Sequence, residues 1–341
     1  MIASQYAYLH TRISLYAGQL LDLDQINALI DRPNSTATPK LAQAKPPEQY
    51  SSNLDQDNVS TLLKELSVLI RPLSGAPREL LSYWAHRFEI GNLKAIIRGK
   101  MTNQPRLAIE EKLQDMGEFT SLPTNELLQS DTPAELLRLL EQTPYIDIAR
   151  QARRMLEQGE ALFALDAALD RRYYAGLAKR GMTLDDSAEQ FLRTLTGCIV
   201  DRVNLVWLLR YRYAYNLPPA QSYYLLIPAC HRLLPQQMQQ LVQCASFAEA
   251  IASLSSPFDR IVAGAGNTTE VTLLLEQENW RIATNILRHS SFNIARALAY
   301  MMLRERDLRR IRAIASGRSM NMEAAAIRSA LGLADNRMRA S

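Results

Sequence analysis

The stretch Phe88-Glu89-Ile90-Gly91-Asn92-Leu93-Lys94-Ala95-Ile96-Ile97-Arg98 returns, altered but legible, as Val200-Asp201-Arg202-Val203-Asn204-Leu205-Val206-Trp207-Leu208-Leu209-Arg210. An acid, an Asn-Leu pair, an apolar run and an Arg keep the same offsets, with Leu93 and Leu205 separated by 112 residues. Apolar positions three and four apart follow the period of a helix, not the alternation of a strand. Acid and Asn lie three apart and so share one helical face, where they can tie a neighbouring helix or hold a loop. A looser third copy, Leu303-Arg304-Glu305-Arg306-Asp307-Leu308-Arg309-Arg310-Ile311-Arg312, places Leu308 another 103 residues on. Glu89, Asn92, Asp201, Asn204, Glu305 and Asp307 are therefore expected to be structural ties between helices.

Other elements recur in step. Ala134-Glu135 leads to Thr143-Pro144-Tyr145, as Ala248-Glu249 leads to Ser256-Pro257-Phe258, and Tyr16-Ala17-Gly18 returns as Tyr174-Ala175-Gly176. Three helical units of about a hundred residues explain such recurrence economically. The expected borders are 1–125, 126–230 and 231–341, with residues 31–58, rich in Pro, Ser, Asn and Gln, as an exposed loop in the first unit. Helical spacing covers Asn58–Leu73, Pro77–Gly99, Thr132–Thr143, Tyr145–Arg180, Asp186–Asn216, Thr269–His289 and Phe292–Ser316. Gly99, Gly181 and Gly317 fall where those helices should end, and Asp186-Ser-Ala-Glu189 has the form of a capping box. The predicted fold is all-α.

At 341 residues and 22% charged, the composition is that of a globular protein. No apolar run approaches the roughly 20 residues that span a bilayer, and Met1–Leu9 lacks the basic and apolar regions of a signal peptide. A cytoplasmic protein is expected. Cys198, Cys230 and Cys244 are odd in number and widely spaced, which argues against a disulfide framework and for buried thiols. Net charge is +4, yet from residue 280 onward 12 Arg face Glu305, Asp307, Glu323 and Asp335. Arg304, Arg306, Arg309, Arg310 and Arg312 offer a basic interface to an acidic partner or lipid head groups. Nucleic acid is the weakest option, because no groove-reading motif or interleaved aromatics accompany them.

A search for chemistry returns no catalytic residues, cofactor-binding residues or metal ligands. His10, His86, His231 and His289 are scattered without a ligand spacing. Gly264-Ala-Gly266 lacks the Lys-Ser/Thr of a phosphate loop and reads as a turn before a helix capped by Thr268 or Thr269. Asp185-Asp186 has no second Asp-rich partner, so a magnesium-dependent helical synthase is disfavoured and Asp186 is better explained as a cap. Tyr211, Tyr213, Tyr215, Tyr223 and Tyr224 fit a half-buried face with polar tips in water. No small-molecule substrate is expected. A helical-repeat scaffold for an unrelated soluble partner is the alternative on residues alone.

These same residues resemble the C subunit of the prokaryotic V-type (A/V-type) ATPases, whose eukaryotic equivalent is the d subunit of the V-ATPase. The likeness rests on Tyr8-Leu9-His-Thr-Arg12, Glu89-Ile-Gly-Asn92-Leu93-Lys-Ala-Ile96-Ile-Arg98-Gly-Lys100 and Leu165-Asp-Ala-Ala-Leu-Asp170-Arg-Arg-Tyr173-Tyr174. It continues in Asp201-Arg-Val-Asn204-Leu205 and Glu305-Arg-Asp307-Leu308-Arg-Arg-Ile311-Arg312, from about residue 6 to about 318. The resemblance implies a funnel of three pseudo-symmetric helical units on the cytoplasmic side of a membrane rotor ring of proteolipids. It implies a socket for the D and F subunits of the central stalk, proximity to the stator, and transmission of torque in ion transport without catalysis.

Overall fold

The computed structural model describes residues 2–31, 54–158, 162–184, 190–290 and 293–333, and among them there is no strand. In chain order the helices are α1 (Ile2–Ala17), α2 (Leu23–Asp31), α3 (Leu54–Ile70), α4 (Gly75–Met101), α5 (Arg106–Glu110) and α6 (Thr124–Gln129). Then come α7 (Pro133–Leu140), α8 (Ile146–Gln158), α9 (Leu162–Leu184), α10 (Phe191–Leu209), α11 (Pro219–Tyr224) and α12 (Pro235–Gln243). The last are α13 (Phe247–Ala252), α14 (Phe258–Ile261), α15 (Thr268–His289), α16 (Ile294–Ser319) and α17 (Ala324–Ala330). Most of the expected loop at 31–58 and the whole of Asp186-Ser-Ala-Glu189 lie outside the described residues.

The chain forms two compact units. Unit 1 joins its two ends, Met1–Pro72 with Ala283–Ser341, and unit 2 is Leu73–Ile282. In unit 1, Leu9 and Ile13 of α1, Leu62, Leu66 and Leu69 of α3, and Leu298 and Tyr300 of α16 are withdrawn from water. Leu21, Ile26 and Ile30 pack with Ile314 and Ile327 in the same unit. In unit 2, α4 is laced to α9: Lys94 Nζ meets Asp170 at 2.5 Å, Arg98 pairs with Asp166, and Tyr173 Oη donates to the Trp84 carbonyl at 3.1 Å. Asp166, Asp170 and Tyr173 are thus spent on fastening α9 to α4.

Several sequence expectations need correction. Tyr145–Arg180 is two helices, not one. Arg172 of α9 pairs with Asp147 and donates to the Pro144 carbonyl at the start of α8, whereas a straight helix would separate 147 from 172 by about 37 Å. Gly99, Gly181 and Gly317 do not end helices, because α4, α9 and α16 run past them to Met101, Leu184 and Ser319. They are small for proximity. A Cβ on Gly99 would lie 2.5 Å from Ile109 Cγ1, and one on Gly317 would lie 2.8 Å from Ile327 Cγ1. The cap of α15 is Asn267, whose Oδ1 accepts from Glu270 N at 3.0 Å, not a threonine.

Candidate functional site

Three joints of one design recur, each beginning at the end of a long helix. In the first, α4 closes with Asn103 at φ 52°, in the left-handed region that Asn tolerates. Gln104 N donates back to the Gly99 carbonyl at 2.8 Å. In the third, α16 closes with Asn321 at φ 54°, and Met322 N donates to the Gly317 carbonyl at 2.8 Å. In the second, a π turn at Arg210–Ala214 adds one residue, so Asn216 at φ 54° does the turning and Leu217 N reaches Tyr211 O at 2.9 Å. The N-caps two residues after each Asn match closely: Pro105 at φ −57°, ψ 144°, Pro218 at −55°, 148° and Glu323 at −60°, 145°.

The acid then holds a loop, which follows it in sequence in the first two joints and precedes it in the third. Glu89, wholly buried, accepts from Ser121 N, from Leu122 N at 3.0 Å, from Ser121 Oγ at 2.9 Å and from Tyr145 Oη at 2.9 Å. Asp201 accepts from His231 N at 2.9 Å and Arg232 N at 2.7 Å. Asp307, also wholly buried, accepts from Leu21 N at 2.7 Å, with Arg306 paired to it at 2.8 Å. A short helix starts two residues beyond each of Leu122, Leu233 and Leu21, namely α6, α12 and α2. Buried carboxylates are costly unless saturated with donors, and here backbone amides supply them.

The Asn adds a clamp. Asn92 exchanges both hydrogen bonds with the Gln114 backbone, at 2.7 and 2.8 Å. Asn204 accepts from Ile227 N at 2.8 Å and donates to the carbonyls of Ile227 and Ala229. In the third joint Arg310 stands three residues after the acid. Asp307 stands four residues before Ile311, as Glu89 and Asp201 stand four before Leu93 and Leu205, so Asp307 is their counterpart and Ile311, not Leu308, matches the two leucines. Glu305 pairs with Arg309 one turn away on the same helix, at 2.5 Å.

The recurring Ala-Glu elements are capping boxes. Thr132 Oγ1 accepts from Glu135 N and Ser246 Oγ from Glu249 N, both at 3.2 Å, while the glutamates reach back to Asp131 N and Ala245 N. Tyr145 and Phe258 follow them as equivalent buried aromatics. Sequence reasoning missed the donors that close α6 and α12. Lys100 Nζ donates to Leu128 O at 2.7 Å and Ser130 O at 2.6 Å, and Tyr213 Oη to Leu241 O at 2.6 Å and Cys244 O at 3.2 Å. The repeated Asn-x-Pro at 103–105 and 216–218 was the available signal.

Burial governs the electrostatics. It pushes the Asp201 carboxyl up, and the amides of Arg232 and His231 oppose this. It also raises Tyr145 and Tyr300, each beside a glutamate, so both hydroxyls stay donors. The Cys198 thiol is pushed up to about 12 by burial, which keeps it protonated and unreactive. Among the described residues no group of His, Cys, Asp and Glu is arranged to hold a metal, and no helix is long and apolar enough to cross a membrane. Of the five arginines expected to offer a basic interface, Arg304 pairs with Glu65 at 3.0 Å and Arg306 with Asp307, both turned into the fold. Arg310 is half-buried, and Arg309 and Arg312 are exposed. Tyr211 is buried and Tyr215 exposed.

Residues 9–330 match the family described as ATP synthase (C/AC39) subunit. The chain is 23% identical to the C subunit of the A-type ATP synthase of Methanosphaera stadtmanae, over 91% of this chain and 83% of that protein. It is 25% identical to the A-type ATP synthase C subunit of Halobacterium salinarum over 76% of each chain. With that of Methanocaldococcus jannaschii it shares 22% identity over 96% of this chain and 86% of the other.

Proposed function

The chain belongs to the ATP synthase (C/AC39) subunit family, whose members are non-catalytic parts of rotary ATP synthases, and on that premise we propose that it is the connector between central stalk and membrane rotor. In this reading three pseudo-symmetric helical units form a funnel. Its wall accepts the tip of the central stalk, made of the D and F subunits, and its rim rests on the proteolipid ring at the cytoplasmic face of the membrane, with the stator nearby. The alternative scaffold reading gains nothing from the relatives above.

The observation that carries the proposal is the acid-held joint built three times in one chain. A part that passes torque must resist shear between its helices, and it needs no reactive group. Carboxylates buried under backbone amides supply that stiffness, because any sliding of loop against helix strips a charge of its donors. Arg309 and Arg312, exposed on α16, are the members of the basic stretch best placed to meet an acidic partner surface.

The test is affinity purification of the tagged protein from native membranes in mild detergent. Recovery of proteolipid and central-stalk proteins in fixed ratio supports the connector. Recovery of neither, where the ATPase is demonstrably present, rejects it. Charge reversal at Arg309 and Arg312 should reduce recovery and its salt dependence if those residues contact a partner.

A further inference from the structure

The carboxylate of Glu89 holds two segments at once: Ser121 and Leu122 ahead of α6, and Tyr145 ahead of α8. Between those segments runs an open groove of about 420 Å³, within the size range of ligand-binding clefts. One wall is residues 120–123 with Glu126 of α6, and the other is Leu139 of α7 with residues 142–144. Both walls are fixed from behind. Ser121 Oγ and Tyr145 Oη each donate to Glu89 at 2.9 Å, and Arg172 donates to the Pro144 carbonyl. A groove held this way is formed before its occupant arrives, which lowers the ordering cost of binding.

The lining is chemically uneven. Pro123, Leu139 and Pro144 give it an apolar bed, whereas Thr120, Glu126 and Gln142 add a hydroxyl, a carboxylate and an amide. These three side chains make no hydrogen bond or ion pair among the described residues. For Glu126 the isolation has a local cause. It stands third in α6, the station from which a Glu or Gln reaches back to the N–H of the capping residue. In α2 that bond is made, Gln25 Oε1 accepting from Asp22 N at 3.1 Å. The capping residue of α6 is Pro123, which has no N–H to give. At the second joint the same station holds Gln237. There Arg232 and Pro257, which match Ser121 and Pro144, border a void of only about 20 Å³.

We propose that this groove takes up a basic segment of a partner protein, an Arg or Lys meeting Glu126 while its apolar neighbours lie on Pro123, Leu139 and Pro144. Charge complementarity selects the occupant. Glu126 is the one charged residue of the lining, and no cation lines the groove to neutralise it. Thr120 and Gln142 supply donors and acceptors for the backbone of such a segment. The inference stands on the groove alone and does not depend on the connector reading.

The test places the photocrosslinker p-benzoylphenylalanine at Gln142 of the full-length protein in its native cells and sequences what becomes attached. The expected adduct is one protein segment with an Arg or Lys beside the attachment point. Glu126→Lys should lower its yield at least about tenfold, because like charges then face each other. Glu126→Gln, of the same shape, should give an intermediate yield, and reversing the partner's basic residue to Glu should restore the yield in Glu126→Lys. An adduct without basic residues, an adduct to a lipid or small amine, or a yield indifferent to Glu126→Lys overturns the proposal. So does a yield no higher than that from the same label at Gln129, which is exposed on α6 but does not line the groove.

Discussion

Tyr145 gives its hydroxyl hydrogen to Glu89 at 2.9 Å, across 56 residues of chain, at a carboxylate that water does not reach. The same carboxylate holds Ser121 and Leu122, so one residue of α4 fixes both the loop before α6 and the start of α8. Phe258 occupies the matching place beside the second joint, so the ring shape is compatible with the site without its hydroxyl.

Tyr145→Phe should therefore fold and lose about 1–3 kcal/mol, the cost of withdrawing one donor from a buried carboxylate. The double substitution with Glu89→Gln should be less than additive, because both act on one network. Chemical denaturation of the four proteins of the cycle measures this. Additive losses would show that the hydroxyl and the carboxylate do not act together.

Asn204→Leu leaves the Ile227 amide and the carbonyls of Ile227 and Ala229 without their partner. It should cost about 1–3 kcal/mol in stability and show as a lowered Tm before any loss of assembly. Full stability with lost rotor assembly would instead make Asn204 a contact residue.

Two glycines of one helix should respond in opposite directions. Gly91 is exposed in mid-helix with nothing within 4 Å of an added Cβ, so Gly91→Ala should stabilise by about 0.5–1 kcal/mol. Gly99→Ala drives its methyl against buried Ile109 at 2.5 Å and should cost about 1–3 kcal/mol. Equal thermal shifts for the two would contradict the close approach of α4 and α5.

His231 carries a pH dependence with a defined sign. Burial lowers its pKa, with Asp201 opposing, so the unfolded chain takes up the proton first. The associated stability is complete above pH of about 6.5 and declines as pH falls below that value. Asp201, raised by burial, slopes the other way, so the comparison must be differential. Tm measured at pH 7.5 and 5.5 should fall less in His231→Gln than in the unsubstituted protein. Parallel curves would remove His231 from the balance.

The helices and two of the three joints were legible because an acid and an Asn three residues apart are rare company for an apolar helical face. The third was misaligned by three residues because Arg310 stands where Asn would, and because the loop held by Asp307 comes from the other end of the chain. Gly99, Gly181 and Gly317 misled for a different reason. Glycine serves both left-handed caps and close approaches, and only the neighbouring element, Ile109, Thr196 or Ile327, tells which is in use. The hairpin of α8 and α9 was hidden because helical periodicity continues on both sides of it. The partner that Arg304 meets within the fold, Glu65, lies 239 residues away and has no local signature.

One extra residue inside a helix rotates everything after it by about 100°, yet Asn216 and Pro218 return to the stations of Asn103 and Pro105. The wide turn at Arg210–Ala214 absorbs the insertion where it occurs, with Tyr215 N bonded to Arg210 O at 2.8 Å. The joint therefore behaves as an interchangeable cassette whose outlet, the Asn-x-Pro or Asn-x-Glu exit, is standardised while the helix feeding it varies in length. Grafting at that exit is the natural place to exchange one repeat for another.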